Sequence, residues 1–282
     1  MIIVWVLGGL GNQLFQYALG RTLALKYNTN LKLDLSDFSA YGRRTFRLNH
    51  FGVHFEMASS KDIAAVTGQS FWDRLLRRDK GITMEKGLLF DPNVLECGNN
   101  AYLKGYWQSE KYFSSVAEII RGDIQVTTPP DGENAELAAS IGDCESVGIH
   151  VRRGDYANDA TTKAFHGLCS AEYYQRAVAM IGSRTANPRF FVFTDDPDWA
   201  SGNLQIGYPF TLVRHNGAVA DYEDFRLLTR CRHFIIANSS FSWWGAWLGT
   251  APDKIVVAPR RWFAHDNYSH ADTVPASWVS LD

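Results

Sequence analysis

Cysteine is scarce and scattered in this chain. Cys97, Cys144, Cys169 and Cys231 form no C-x-x-C pair, and no two histidines stand at zinc-site spacing. A structural metal or a disulfide framework is not expected, and four dispersed thiols fit a reducing compartment. Neither sign of charge is in excess. A net charge of -2 gives no reason to expect nucleic acid as a partner, so any anion-binding surface has to be local. No apolar run is long enough to span a bilayer. The apolar start, Met1 to Leu7, lacks a basic leader and runs straight into Gly8-Gly9, so it reads as a buried strand rather than a signal peptide. These absences point to a cytoplasmic protein, with loose peripheral membrane association left open. There is no internal repeat, low-complexity tract, H-E-x-x-H motif or nucleophile elbow.

What is present is an α/β rhythm in a chain of 282 residues, long enough for two domains of ordinary size. Ile2–Leu7 reads as a strand, and Gln13–Tyr27 as a helix with Phe15, Ala18, Leu19 and Leu23 on one face. Leu31–Leu35 alternates like a strand. Residues 38–100 are irregular and carry two basic pairs, Arg43-Arg44 and Arg77-Arg78. Thr127-Thr128-Pro129-Pro130-Asp131-Gly132 is a linker candidate, and the rhythm restarts after it. Ser146–Val151, Arg189–Thr194, His233–Ala237 and Lys254–Ala258 read as strands. Ser170 caps a helix reaching Ile181, and Asp196 caps another with Pro197 at its first position. Asp221 opens a helix through Cys231, and Ser240–Leu248 is a further helix. The expectation is two doubly wound α/β domains, 1–130 and 131–282, facing a cleft, with ligands beyond the carboxyl ends of the strands. The aromatics (9 Trp, 12 Tyr, 17 Phe) suit a thick core first and sugar-stacking surfaces second.

Three strand-to-helix junctions carry chemistry. His150-Val151-Arg152-Arg153-Gly154-Asp155-Tyr156 leaves an apolar strand with two permanently charged guanidiniums, which bind phosphate oxygens in a bidentate way. The alternative is a surface loop salt-bridged to itself. In Asn238-Ser239-Ser240-Phe241-Ser242-Trp243-Trp244, three serines open a helix whose free amides and dipole favour an anion. Capping needs only one serine, so the anion site is preferred over capping by Ser240 or Ser242. Gly8-Gly9-Leu10-Gly11-Asn12-Gln13 lets the backbone approach a ligand, but Leu14 stands where a dinucleotide fingerprint needs glycine. Asn12 and Gln13 present amides to sugar hydroxyls, or Asn12 caps a tight turn. Asp196-x-Asp198 imitates a metal-binding pair but lacks further oxygen ligands. Asp224 either supports the helix dipole after Asp221 or accepts the two adjacent N–H donors of a guanine edge.

Together the Gly8–Ala18, His150–Tyr156 and Asn238–Trp244 blocks, with Phe193-Thr194-Asp195-Asp196, resemble the alpha-1,2-fucosyltransferases, glycosyltransferase family 11. The motifs run in family order from near the N-terminus to about Leu248. The resemblance implies a GT-B fold, GDP-fucose as donor bound mainly on the C-terminal domain, no metal or cofactor, and inversion at the anomeric carbon. It implies a terminal β-galactoside as acceptor, held on the N-terminal side, as in carbohydrate or O-antigen biosynthesis. Arg152 would hold the pyrophosphate with Arg153 in support, and His150 would lie near the nucleotide. Ser239, Ser240, Phe241 and Ser242 would bind phosphate oxygens, Gly9 and Gly11 would belong to the donor-binding set, and Asp224 would read guanine. Asn12 would lie near the acceptor or the transferred sugar. Where some related fucosyltransferases carry a glutamate in the histidine block, this chain has Ala160. Asp155 is then taken as the general base, with Asp159 and His166 as alternatives.

The chemistry agrees with that implication. Fucosyl transfer builds positive charge on the sugar and negative charge on departing GDP. Without a metal, arginine and helix amides must neutralise the leaving group. Two other classes stay open on sequence grounds: a dinucleotide-dependent oxidoreductase using the glycine turn, and a non-catalytic carbohydrate-binding protein using the aromatics. The acceptor glycan and the oligomeric state are not fixed by sequence.

Overall fold

The structure, a computed structural model, describes residues 1–41, 45–68, 81–217, 219–264 and 271–282, without the side chains of residues 39–41, 155 and 158. The basic pairs Arg43-Arg44 and Arg77-Arg78 lie outside the described residues. The chain forms two compact units, residues 1–127 with 271–273, and residues 128–270 with 274–282. Division after Thr127 differs from the expected 130/131. The return of residues 271–273 to the first unit was not anticipated. Asp272 explains it, pairing with Lys111 and accepting from the Phe90 amide at 2.9 Å.

The first unit is a five-stranded sheet of order β3-β2-β1-β5-β4, formed by β1 (Ile2–Trp5), β2 (Leu31–Asp34), β3 (Glu56–Met57), β4 (Ile82–Met84) and β5 (Ala101–Lys104). Every neighbouring pair is parallel. The helix Leu10–Lys26 follows β1 and buries Leu14, Phe15, Tyr17, Ala18, Leu19 and Leu23. It starts three residues earlier than predicted, inside the glycine motif, so Gly11 and Asn12 are helical. Gly9 is the N-cap and no side chain caps it, which removes the capping role considered for Asn12. Gly8 makes the turn possible: its φ is +90°, and a Cβ there would stand 2.8 Å from Asn12 Nδ2. The irregular stretch holds β3, β4 and a helix Ser60–Thr67. Ser59 and Asp62 form a capping box on that helix, a signal that was available in the sequence.

The second unit is a six-stranded parallel sheet of order β11-β10-β9-β6-β7-β8. Its strands are β6 (Ser146–Val151), β7 (Arg189–Thr194), β8 (Phe210–Val213), β9 (His233–Ile235), β10 (Val256–Pro259) and β11 (Val279–Leu281). The strand order reverses between β6 and β9. β6 is buried throughout, and its alternation divides it between two layers. Val147, Ile149 and Val151 pack with Tyr173, Tyr174, Ala177, Val178 and Ile181 of the helix Ala171–Gly182. Ser170 caps that helix as predicted, its hydroxyl accepting from the Tyr173 amide at 3.2 Å. Gly148 and His150 face the other layer. A Cβ on Gly148 would meet Leu228 at 2.6 Å, and the His150 ring contacts Phe241 at 5.2 Å. The helix Asp221–Thr229 ends two residues short of its predicted end at Cys231. Trp243, Trp244 and Trp247 are core, as expected. Among the described residues no helix is long and apolar enough to cross a membrane.

Candidate functional site

In an open parallel sheet, ligands bind beyond the carboxyl ends of the strands where the order reverses. In the second unit that place lies between β6 and β9. β6 delivers His150 to Arg153, and β9 delivers Asn238 to Ser242. The two motifs that sequence reading set apart are therefore neighbours at one switch point.

Arg152 does not float. Its Nη1 pairs with Asp195 Oδ2 at 2.8 Å, and its guanidinium lies 5.3 Å from the Tyr156 ring centroid. Tyr156 stacks on His166 at 4.4 Å, with ring planes 9° apart. The other Asp195 oxygen accepts the Arg153 amide at 2.7 Å. One carboxylate thus fixes the side chain of Arg152 and the backbone of the next residue. The approach is close enough that a Cβ on Gly154 would stand 2.7 Å from Asp195 Oδ2. Arg153 turns elsewhere: its guanidinium covers Trp199 at 4.1 Å, and its Nε reaches Asp196 at 3.3 Å. Asp196 caps the helix Pro197–Asn203, as predicted. Its carboxylate is thereby committed to the Trp199 amide and Arg153. Among the described residues, no three His, Cys, Asp or Glu side chains group as metal ligands would.

His150 is 6 % exposed, and its Nδ1 is buried without a hydrogen-bond partner. Tyr174 holds the strand end by donating to the His150 carbonyl at 3.1 Å. Burial pushes the imidazole down to about 4, ahead of the opposing effect of Asp195, so His150 is neutral at pH 7. A neutral ring with an unpaired buried nitrogen can exchange a hydrogen bond with a ligand.

The serine helix Ser240–Leu248 begins at Ser239, whose side chain makes no capping bond, and its first turn holds no acid. The amides at its start and the positive end of its dipole are therefore available to an anion. Ser242 differs from expectation. It is fully buried, and its hydroxyl donates to the carbonyls of Ser239 at 3.3 Å and Ala237 at 3.5 Å. Its hydroxyl is withdrawn from the phosphate-binding set; its amide remains in the first turn. Asn238 is a clip: its Nδ2 donates to the carbonyls of His166 and Trp262 at 2.7 and 3.2 Å.

A ring ladder joins these pieces to Asp224. His150 meets Phe241 at 5.2 Å and Phe241 meets Phe225 at 5.5 Å, beside Asp224 on the helix Asp221–Thr229. Burial, then the nearby carboxylates of Asp221 and Glu223, push the Asp224 carboxyl up from 3.8 to about 7, against a lowering hydrogen bond from Asn216. Asn216 donates to Asp224 Oδ1 at 2.9 Å and is itself fixed by the fully buried Asn134. Asp195 and Asn216 were missed as site residues. Parallel pairing of Val151 with Thr194 makes the residues after those strands neighbours, a signal that would have found Asp195.

The three candidate bases fare differently. The side chain of Asp155 lies outside the described residues. Asp159 caps the helix Ala160–His166 through the Thr162 amide at 2.7 Å. His166 belongs to the Tyr156 stack.

In the first unit, Gln13 corrects another expectation. It is fully buried, and its amide bonds the carbonyls of Gly8 and Thr45 and the amide of Arg47, all at 2.9 Å. It clips backbone and has nothing left for a sugar. Gln16 does the same for Leu7 and Gly105. Asn12 is half-buried and accepts from Gln108 at 2.8 Å. Gly11 is buried. Gly9 is half-buried with open space where a Cβ would stand.

Known proteins resemble this chain over part or all of its length. An alpha-1,2-colitosyltransferase from Escherichia coli is 31% identical over 100% of this chain and 99% of its own length. The O-antigen biosynthesis glycosyltransferase WbnK from the same species is 32% identical over 97% and 98%. A galactoside alpha-(1,2)-fucosyltransferase 2 from Gorilla gorilla gorilla is 32% identical over 40% of this chain and 33% of its own. Among solved structures, Arabidopsis thaliana FUT1 in complex with GDP aligns over 92% of this chain and 70% of its own with a TM-score of 0.51 at 12% identity, which supports the α/β, GT-B class of fold. The Glycosyl transferase family 11 model matches residues 77–282, and with the full-length relatives it places this chain in glycosyltransferase family 11, as a glycosyltransferase.

Proposed function

We propose that this protein moves L-fucose from GDP-fucose to the 2-hydroxyl of a terminal β-galactose, with inversion and without a metal ion. The observation that carries the reading is the joining, within one unit, of an anion site and an acid suited to guanine. The anion site is Arg152 with the start of the serine helix, and the acid is Asp224. A guanosine diphosphate sugar presents both features to be met: a charged pyrophosphate and a neutral base edge with two N–H donors. A purely sugar-binding protein uses neither. An NAD site in the glycine turn is disfavoured because Leu14, where the fingerprint needs glycine, is fully buried.

As the anomeric C–O bond breaks, negative charge gathers on the β-phosphate. Arg152, aimed by Asp195, and the amides at Ser240 to Ser242 oppose it. His150, being neutral, adds a hydrogen bond without a competing charge. Asp155 takes the proton of the attacking hydroxyl, and Asn12 binds the acceptor or the moving sugar. Relatives named for O-antigen biosynthesis and for galactosides favour a lipid-linked repeat or a free oligosaccharide ending in galactose as acceptor.

GDP release from GDP-fucose with a β-galactoside acceptor is expected to proceed in EDTA. Activity lost in EDTA and restored by a divalent ion would overturn the metal-free claim. Gly154→Ala is expected to lower kcat about tenfold or more, because the new methyl displaces Asp195 and so misaims Arg152. Circular dichroism should show the fold retained, and an unchanged kcat would deny Asp195 its aiming role.

The full-length colitosyltransferase relative favours a second reading, transfer of colitose. Side-by-side assays with nucleotide-activated fucose and colitose decide between the two by kcat/KM.

A further inference from the structure

In the first unit the strand order reverses between β1 and β5, and the segments leaving those strands meet. Gln108 Nε2 donates to Asn12 Oδ1 at 2.8 Å across 96 positions of sequence. Asn12 Nδ2 itself donates to no group among the described residues.

The turn that carries Gln108 is held in a costly conformation. Trp107 has φ +58°, unusual for so bulky a residue, and it is 1 % exposed with its indole Nε1 lacking a hydrogen-bond partner. Such features persist where the surroundings over-determine them, and they gather at functional sites. The surroundings here are explicit. Glu85, just after β4, accepts the amides of Tyr106 and Trp107 at 2.7 and 2.8 Å. A Cβ on Gly105 would stand 2.4 Å from Glu85 Cβ. The Ser109 amide donates to the Trp107 carbonyl at 2.8 Å, which makes Gln108 the middle residue of a three-residue turn. From the other side, Gly8 leaves room for Asn12 Nδ2, since a Cβ there would come within 2.8 Å of it.

We infer that Gln108 is a positioning residue: it takes the oxygen of the Asn12 amide, so that Nδ2 is presented to an oxygen of the acceptor or the transferred sugar. Two strained or crowded turns then converge on one amide orientation. The inference rests on the reading of Asn12 given above, and the variants separate the two. Gln108→Glu has only acceptor atoms, so it recruits Asn12 Nδ2 and turns the amide over. Asn12→Asp keeps the oxygen that Gln108 binds and removes the donor.

Both variants, with Asn12→Ala, are to be assayed for transfer with a β-galactoside acceptor. GDP affinity is measured in parallel by calorimetry, and folding by thermal denaturation. Gln108→Glu and Asn12→Asp are each expected to lower kcat at least tenfold, with GDP affinity within about twofold of wild type. Gln108→Leu, which leaves the Asn12 amide free to rotate, is expected to fall between wild type and Gln108→Glu. An impaired Asn12→Ala beside an unchanged Gln108→Glu overturns the positioning role alone. An unchanged Asn12→Ala overturns the assignment of Asn12 and this inference with it. A loss of GDP affinity equal to the loss of kcat in a folded Gln108→Glu overturns it as well, because the defect would then not concern the sugar.

Discussion

Arg152→Ala is expected to lower kcat by about 10²- to 10³-fold, the usual loss when one group opposing transition-state charge is removed. The effect should fall on kcat more than on KM for the donor. The diphosphate is charged in the ground state too, but on the proposed reading Arg152 opposes the charge that grows during bond breaking. Aim is what the structure adds. Asp195 holds Nη1 at 2.8 Å and the Tyr156–His166 stack lies beside the guanidinium, so its reorganisation during the reaction is small. Arg152→Lys retains the charge but loses the planar fork, and it is expected to recover only part of the loss. Truncation leaves Asp195 bound to the Arg153 amide at 2.7 Å, so the fold should survive. Kinetics of GDP release, checked against thermal denaturation, test the claim. A kcat within threefold of wild type would remove Arg152 from the clamp. Arg153→Ala is the natural comparison: packed on Trp199 and paired with Asp196, it should cost stability more than rate.

The features legible in sequence were those whose cause is local. β6 and β7 are six-residue strands made mostly of apolar side chains, and the caps Ser170 and Asp196 announce their helices. The switch-point motifs could be read because glycine, arginine and serine carry their chemistry in the residue type. Strands such as β3, two exposed residues long, have no alternation to read. Polar residues near the motifs were harder still. Gln13 and Ser242 look like ligand-binding groups until their partners, and those of the neighbouring Gln16, appear. Those partners, the backbone of Thr45, Arg47 and Gly105 and the carbonyls of Ala237 and Ser239, are set by tertiary placement. Asp195 has no role legible from its own block, because its partner lies 43 residues earlier in sequence, brought alongside only by the β6–β7 register.

Donor affinity should fall as pH drops through about 7, and Asp224 should be the cause. Its carboxyl titrates near 7 in the free protein because burial and two neighbouring acids disfavour the charge. Two guanine N–H donors bind the carboxylate and not the neutral acid, so binding lowers that value. Below pH 7 the free protein must then lose a proton to bind, and affinity declines by at most about tenfold per pH unit. GDP-fucose has no group titrating between pH 5 and 8, so the titration belongs to the protein. Asp224→Asn is expected to lose about 10- to 100-fold in donor affinity, the range for a charged hydrogen bond, and to flatten the profile. The same substitution carries an opposite signature in stability. A carboxyl raised above its ordinary 3.8 binds more protons folded than unfolded between those two values, so its contribution to stability falls as pH rises through them. Asparagine removes that penalty, and Asp224→Asn should melt higher than wild type at pH 8 without ligand. Weaker donor binding with a higher melting point is the pattern of an acid kept for its ligand at the expense of the fold. A donor-affinity profile that stays flat from pH 8 to pH 5.5 in the wild-type protein would remove Asp224 from recognition of the base.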